Sequence, residues 1–165
     1  MSFGFAAVLY VMFQKKMFSK PVTAMISKWL FYPTFPITVM MRIGNYMSPV
    51  DKTVILGCAP MDIFGHPAKL RDMGVCGVVN MCSEYSGPSG YAGVSITQLH
   101  LPCVDHFEPS VSQYEEAVKF IQEHHDKGSK VYVHCKAGHG RGAAIALAWL
   151  VSQNSSMSAK VSCTM

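Results

Sequence analysis

The run Val131-Tyr-Val-His-Cys-Lys-Ala-Gly-His-Gly-Arg-Gly-Ala-Ala144 constrains this chain more than any other stretch. Val131, Tyr132 and Val133 favour a buried strand, predicted over Lys130 to His134. Only seven residues, Cys135 to Arg141, then separate it from an alanine- and leucine-rich segment, Ala143 to Val151, that favours a helix. Gly138 and Gly140 allow so short a connection to curl, because glycine tolerates positive φ. Strand, tight loop and helix in that order predict an α/β layer in which the helix returns over the sheet.

The same loop carries chemistry. Backbone N–H groups turned inward, together with the positive end of the following helix, form a nest for a phosphate dianion. Lys136, Ala137, Gly138, His139 and Gly140 are therefore the predicted phosphate-binding residues. That field favours a thiolate at Cys135, which becomes the candidate nucleophile. Arg141 can grip two phosphate oxygens in a planar fork, which a lysine cannot do. His134, just before the nucleophile, is expected to order the loop by hydrogen bonding.

A phosphate ester also needs a proton for its leaving oxygen, hence a carboxylic acid facing the nucleophile. Leu101-Pro-Cys-Val-Asp-His-Phe-Glu108 offers Asp105, thirty residues before Cys135 and just past a predicted strand end. Ligands of open α/β sheets sit at such ends. Glu108 is the second choice and His106 the third, and the bland reading of Asp105 is a solvated or helix-capping carboxylate.

Upstream, strands are predicted at Thr53–Gly57, Val75–Asn80 and Val94–Leu101, the last ended by Pro102. Met61 to Met73 reads as a short helix and turn with Leu70 and Met73 inward, and Ser86-Gly-Pro-Ser-Gly90 as a loop. Ser112 and Glu115 form a capping-box pattern ahead of Tyr114, Val118 and Ile121, and Gly128 stops that helix. The predicted architecture is a mostly parallel sheet of about four strands flanked by helices. At 165 residues, half of them hydrophobic, the chain has material for one core.

Charge is uneven. Residues 1–50 hold no Asp or Glu but carry Lys15, Lys16, Lys20, Lys28 and Arg42, leaving nine of the fourteen Lys and Arg to face ten acids elsewhere. Residues 1–48 are thus read as a basic, apolar targeting or membrane-associated segment, and 49–165 as the catalytic domain. Phe3 to Phe13 is too short to span a bilayer, and Pro33 and Pro36 are expected to interrupt Trp29 to Met41. The six cysteines include no C-x-x-C pair, so buried thiols are expected, with no metal. His124 and His125, at a helix end, are read as solvated.

His134, Cys135 and Arg141 match the H-C-x5-R signature of the protein tyrosine phosphatase superfamily. Phe31-Tyr-Pro-Thr34, Val50-Asp-Lys-Thr-Val-Ile-Leu-Gly57 and Leu70 through Glu84 further resemble the mitochondrial phosphatidylglycerophosphate phosphatases, over about residues 29–152. This likeness implies the cysteine-phosphatase fold, a phosphocysteine intermediate, Asp105 as general acid, and no cofactor. It implies an anionic phospholipid substrate, a setting at the inner mitochondrial membrane, and no nucleic acid. Phosphoprotein or phosphoinositide substrates, or a catalytically weak phosphate-binding module, are the alternatives. Lys136 would suit a second acidic headgroup, and Cys82 stands where phosphoinositide phosphatases place a redox partner of the nucleophile; a buried inert thiol is the first reading. Three departures stand out: Gly142 where the family carries Ser or Thr, His139 where a basic residue is usual, and only 24 residues after Arg141, where relatives continue into further helices.

Overall fold

The computed structural model describes Met12 and residues 17–154, so Cys163 and nearly all of the Phe3–Phe13 stretch lie outside the described residues. Five strands form one sheet: β1 (Met47–Pro49), β2 (Val54–Gly57), β3 (Val75–Cys82), β4 (Thr97–Cys103) and β5 (Lys130–His134). Their order is β1-β2-β5-β3-β4, parallel throughout except for β1 against β2. The helices are α1 (Lys20–Met41), α2 (His66–Asp72), α3 (Val111–Asp126) and α4 (Arg141–Gln153), joined by short 3₁₀ turns at Asp62–Phe64 and Ser89–Val94. β5 lies in the middle, and its Val131 to His134 are buried, as a strand covered on both faces requires.

Strand alternation sorts these side chains into two layers. Val79, Val131 and Val133 face one side, packing with Ile121 of α3, Ile145 and Trp149 of α4, and Phe31 and Phe35 of α1. Val78 and Tyr132 face the other, with Ile55, Leu70, Tyr91 and Ile96. The C-terminal half of α1, in the segment expected to be for targeting, therefore supplies two aromatic rings to the main core. Asp51 pins the frame: Oδ1 accepts from the amides of Thr53 and Val54, and Oδ2 accepts from Trp149 Nε1 at 2.7 Å.

Several local expectations change. The fifth strand, β1, is only three residues long and ends in proline, too little for periodicity to flag. β4 begins later, at Thr97, and runs through Pro102 to Cys103; an edge strand tolerates the missing donor. Helix α3 starts at Val111, because the capping box pairs Ser110 with Gln113 and not Ser112 with Glu115. Met73 is 38% exposed, whereas Leu70 is buried as predicted. Pro33 and Pro36 sit inside α1 without ending it. Both lie on its exposed side, as do Trp29 and Tyr32, whose carbonyls lose their helical donors there. No helix among the described residues is long and apolar enough to cross a membrane.

Candidate active site

The loop between β5 and α4 is shaped by its neighbours. Gly138 has φ +73°, and an added Cβ would lie 2.8 Å from the Gly57 backbone at the end of β2, so both conformation and space demand glycine. Ala59 N donates to Lys136 O at 3.2 Å, and Cys58 Sγ donates to Ala137 O at 3.4 Å. The chain after β2 thereby holds one flank of the loop. α4 then begins at Arg141 with Gly140 as its N-cap, which aims the helix N-terminus at the loop.

Cys135, Arg141 and Asp105 meet on one cavity of about 680 Å³, which Lys136, Ala137, His139 and Gly140 also line. Gly138 is not in the lining and turns against Gly57 instead. His106 and Glu108, the reserve acids, line it too. His106 has φ +65°, and its Nε2 lies 3.8 Å from Asp105 Oδ2.

Arg141 is almost wholly buried, and the sequence expectations name none of its partners within the protein. Nη2 and Nη1 donate to the two oxygens of Glu84 at 2.7 and 2.9 Å, and Nη1 also donates to Cys103 O at 2.7 Å. Nη2 lies 3.0 Å from Asp105 Oδ1 as an ion pair. Burial alone disfavours the guanidinium charge, but the Glu84 hydrogen bonds and carboxylate outweigh it and hold the pKa above its ordinary value. Glu84 is the functional residue that sequence reasoning missed. Its one signal is a carboxylate two residues past the end of β3, at the same edge of the sheet as Asp105.

Two basic positions are also resolved. His139 Nε2 lies 2.8 Å from Arg42 Nη1; a guanidinium only donates, so this nitrogen is the acceptor. Arg42, the C-cap of α1, thus brings a permanent cation to the loop position where His139 replaces the usual base. Lys136 points to α1: Nζ donates to Thr34 Oγ1 and sits 5.6 Å from the Phe31 ring centre. Burial lowers its pKa, opposed by Asp105 and Glu84.

The remaining expectations sort cleanly. His134 is fully buried and neither ring nitrogen makes a well-formed hydrogen bond among the described residues, so packing against Tyr132, with ring centres 5.7 Å apart, holds it in place of the expected bonds. Burial pushes its pKa down to about 3, with the neighbouring Cys135 amide acting in the opposite direction. Cys82 is buried opposite Cys103 in the β3–β4 register, and burial raises its thiol pKa well above the ordinary value. His124 is not solvated: it is buried, with Nδ1 2.9 Å from Ser129 Oγ; His125 is exposed as expected, with Nδ1 2.7 Å from Thr53 Oγ1. Among the described residues no His, Cys, Asp and Glu cluster could hold a metal ion.

Comparison with known proteins agrees with this geometry. The family of dual specificity phosphatase catalytic domains matches residues 54–163. Phosphatidylglycerophosphatase and protein-tyrosine phosphatase 1 of Rattus norvegicus is 33% identical over 139 residues, covering 76% of this chain and 72% of its own length. Phosphatidylglycerophosphate phosphatase PTPMT1 of Arabidopsis thaliana is 33% identical over 130 residues, covering 74% of this chain but only 38% of its own length. The crystal structure of PTPMT1 in complex with PI(5)P superposes with a TM-score of 0.61 at 27% identity, over 67% of this chain and 74% of that one. Tk-PTP in the active form gives a TM-score of 0.57 at 26% identity, over 67% and 75%. The chain belongs to the dual-specificity phosphatase family of phosphoric monoester hydrolases, on the branch of the phosphatidylglycerophosphatases.

Proposed function

We propose that this protein hydrolyses a phosphate monoester through a phosphocysteine intermediate, with phosphatidylglycerophosphate as its substrate. The observation that carries the reading is the convergence of Cys135, Arg141 and Asp105 on one cavity at the N-terminus of α4. The phosphate sits in the loop, with its equatorial oxygens on backbone N–H groups and Arg141. Cys135 Sγ attacks phosphorus, the ester P–O bond breaks, and Asp105 gives its proton to the leaving oxygen. Water then attacks phosphorus, the P–S bond breaks, Asp105 takes the proton back, and inorganic phosphate leaves.

Glu84 keeps the guanidinium charged and fixed in plane throughout. Asp105 shares that guanidinium in the free protein. An arriving phosphate monoester competes for the same charge and releases the carboxylate, which takes up a proton from solvent and then faces the leaving group as the acid. The lipid substrate is supported by the names of the matched relatives and by the acid-free, basic residues 1–50, which suit an anionic membrane surface. That surface is the inner mitochondrial membrane. A phosphoinositide monoester is the second reading, favoured by the PI(5)P complex of a matched structure.

The test is phosphate release by the full chain from phosphatidylglycerophosphate, PI(5)P and a phosphotyrosine peptide, assayed side by side. Preference for phosphatidylglycerophosphate, abolished in Cys135→Ser, is the expected result. Preference for the peptide overturns the lipid assignment, and turnover that survives Cys135→Ser overturns the mechanism.

A further inference from the structure

A second groove, about 420 Å³, runs from the catalytic cavity along α1. Ser27, Leu30, Thr34, Ile37, Thr38 and Met41 form its wall, at the three- and four-residue spacing of one helix face. Met41, Asp105, His106 and Lys136 line both spaces, so the groove is continuous with the site that holds Cys135 and Arg141.

Its chemistry differs from that of the catalytic cavity. Leu30, Ile37 and Met41 supply apolar surface. At the end nearest the catalytic cavity Glu84 and Asp105 also line it, both carboxylates turned onto Arg141, and Lys136 is the only lysine or arginine of the lining among the described residues. The hydroxyls of Thr34 and Thr38 already donate to carbonyls of their own helix, at Leu30 and Thr34. Ser27 is only 4% exposed, yet its Oγ makes no hydrogen bond among the described residues. Ser27 stands seven residues from Thr34, where Lys136 is anchored, a rise of about 10 Å along the helix. A peptide laid there would leave most of its amides unpaired, at a high desolvation cost. A mostly apolar ligand with one anion at one end and one acceptor at the other matches the wall. On the same helix Trp29, Tyr32 and Met40 are exposed, residue types suited to a lipid interface.

We propose that this groove is an acyl-glycerol subsite, resting on the phosphatidylglycerophosphate reading above. With the monoester phosphate over Cys135, the phosphodiester of the lipid lies at Lys136. Its glycerol backbone and first acyl carbons lie along Leu30, Ile37 and Met41, and an ester carbonyl accepts from Ser27 Oγ.

The experiment uses two soluble substrates below any micelle concentration: dihexanoyl phosphatidylglycerophosphate and its deacylated headgroup, glycerophosphoglycerol phosphate. Wild-type kcat/KM should favour the acylated substrate by about tenfold, the effect of burying roughly two methylenes. Ser27→Phe, which fills the groove, and Leu30→Trp, at a half-exposed position, should each pull that ratio toward one. Each ratio is internal to one protein, so partial misfolding cancels. A wild-type ratio near one, or a ratio unmoved by both variants, overturns the subsite while leaving the headgroup reading intact. Failure to turn over either compound, with a phosphotyrosine peptide still hydrolysed, removes the lipid reading and the subsite together.

Discussion

Asp105 Oδ1 lies 3.0 Å from Arg141 Nη2, on the guanidinium that Glu84 holds through both of its oxygens. One cation therefore serves a fixed carboxylate and a displaceable one. Asp105→Ala should bind tungstate more tightly than the wild type, because the oxyanion no longer competes with a carboxylate. The same substitution should lower kcat about 10²- to 10⁴-fold on alkyl phosphates, and much less on aryl phosphates, whose leaving groups need no acid. Equal losses on both substrate classes would rule out Asp105 as the proton donor.

Glu84 and Arg141 are both nearly buried, with side-chain exposures of 1% and 4%. Glu84→Ala leaves the buried guanidinium with only the partly exposed Asp105 as its counter-charge, so it should destabilise the fold by about 3 kcal/mol, the low end for breaking a buried pair. Glu84→Gln keeps a hydrogen-bond acceptor and should lose less. Urea denaturation of the three proteins reads both differences, and equal stability of Glu84→Ala and wild type would show the pair to be dispensable.

Acid should loosen the fold well before carboxylates titrate fully. Burial lowers His134 to about 3 from an ordinary 6.5, and lowers His66 and His124 in the same direction. The unfolded chain binds protons on these rings that the folded chain refuses, so stability is complete above about pH 6.5 and falls as pH drops toward 3. Between pH 7.5 and 5, His134 alone accounts for about 2 kcal/mol. Denaturation midpoints at the two pH values measure the slope, which His134→Phe should flatten.

Gly142 should slow the second chemical step of the proposed reaction by what it lacks. A Cβ there would meet Cys135 N, His134 C and a Leu56 methyl at 3.2 Å, so a side chain requires a backbone shift of a few tenths of an ångström. Without the hydroxyl usual in the family to stabilise the departing thiolate, phosphocysteine should accumulate. Stopped-flow turnover of an aryl phosphate should show a burst in the wild type, and a smaller one in Gly142→Ser. A wild type with no burst would place the slow step elsewhere.

Much of this was legible from local signals. The alternation in β5, the left-handed turn at Gly138 and the helix-forming run after Arg141 each act over a few residues and stand where those signals put them, whereas Gly140 takes φ −93° as the N-cap of α4. Errors came where the local signal was ambiguous or weak. The capping box expected at Ser112 forms two residues earlier, at Ser110, and three residues of β1 carry no period. Prolines read as breaks proved compatible with α1 because its outer side is wet.

By itself, then, the sequence determined the strand–loop–helix unit and the candidacy of Cys135 and Arg141, because backbone preference and side-chain chemistry there are properties of adjacent residues. Only the tertiary structure decided which charges meet. Glu84 reaches Arg141 across 57 positions, and Arg42 reaches His139 across 97. Those pairings follow from strand order and from how α1 packs, since Coulomb forces act through space and hydrophobic periodicity encodes which face is buried, not which partner waits there.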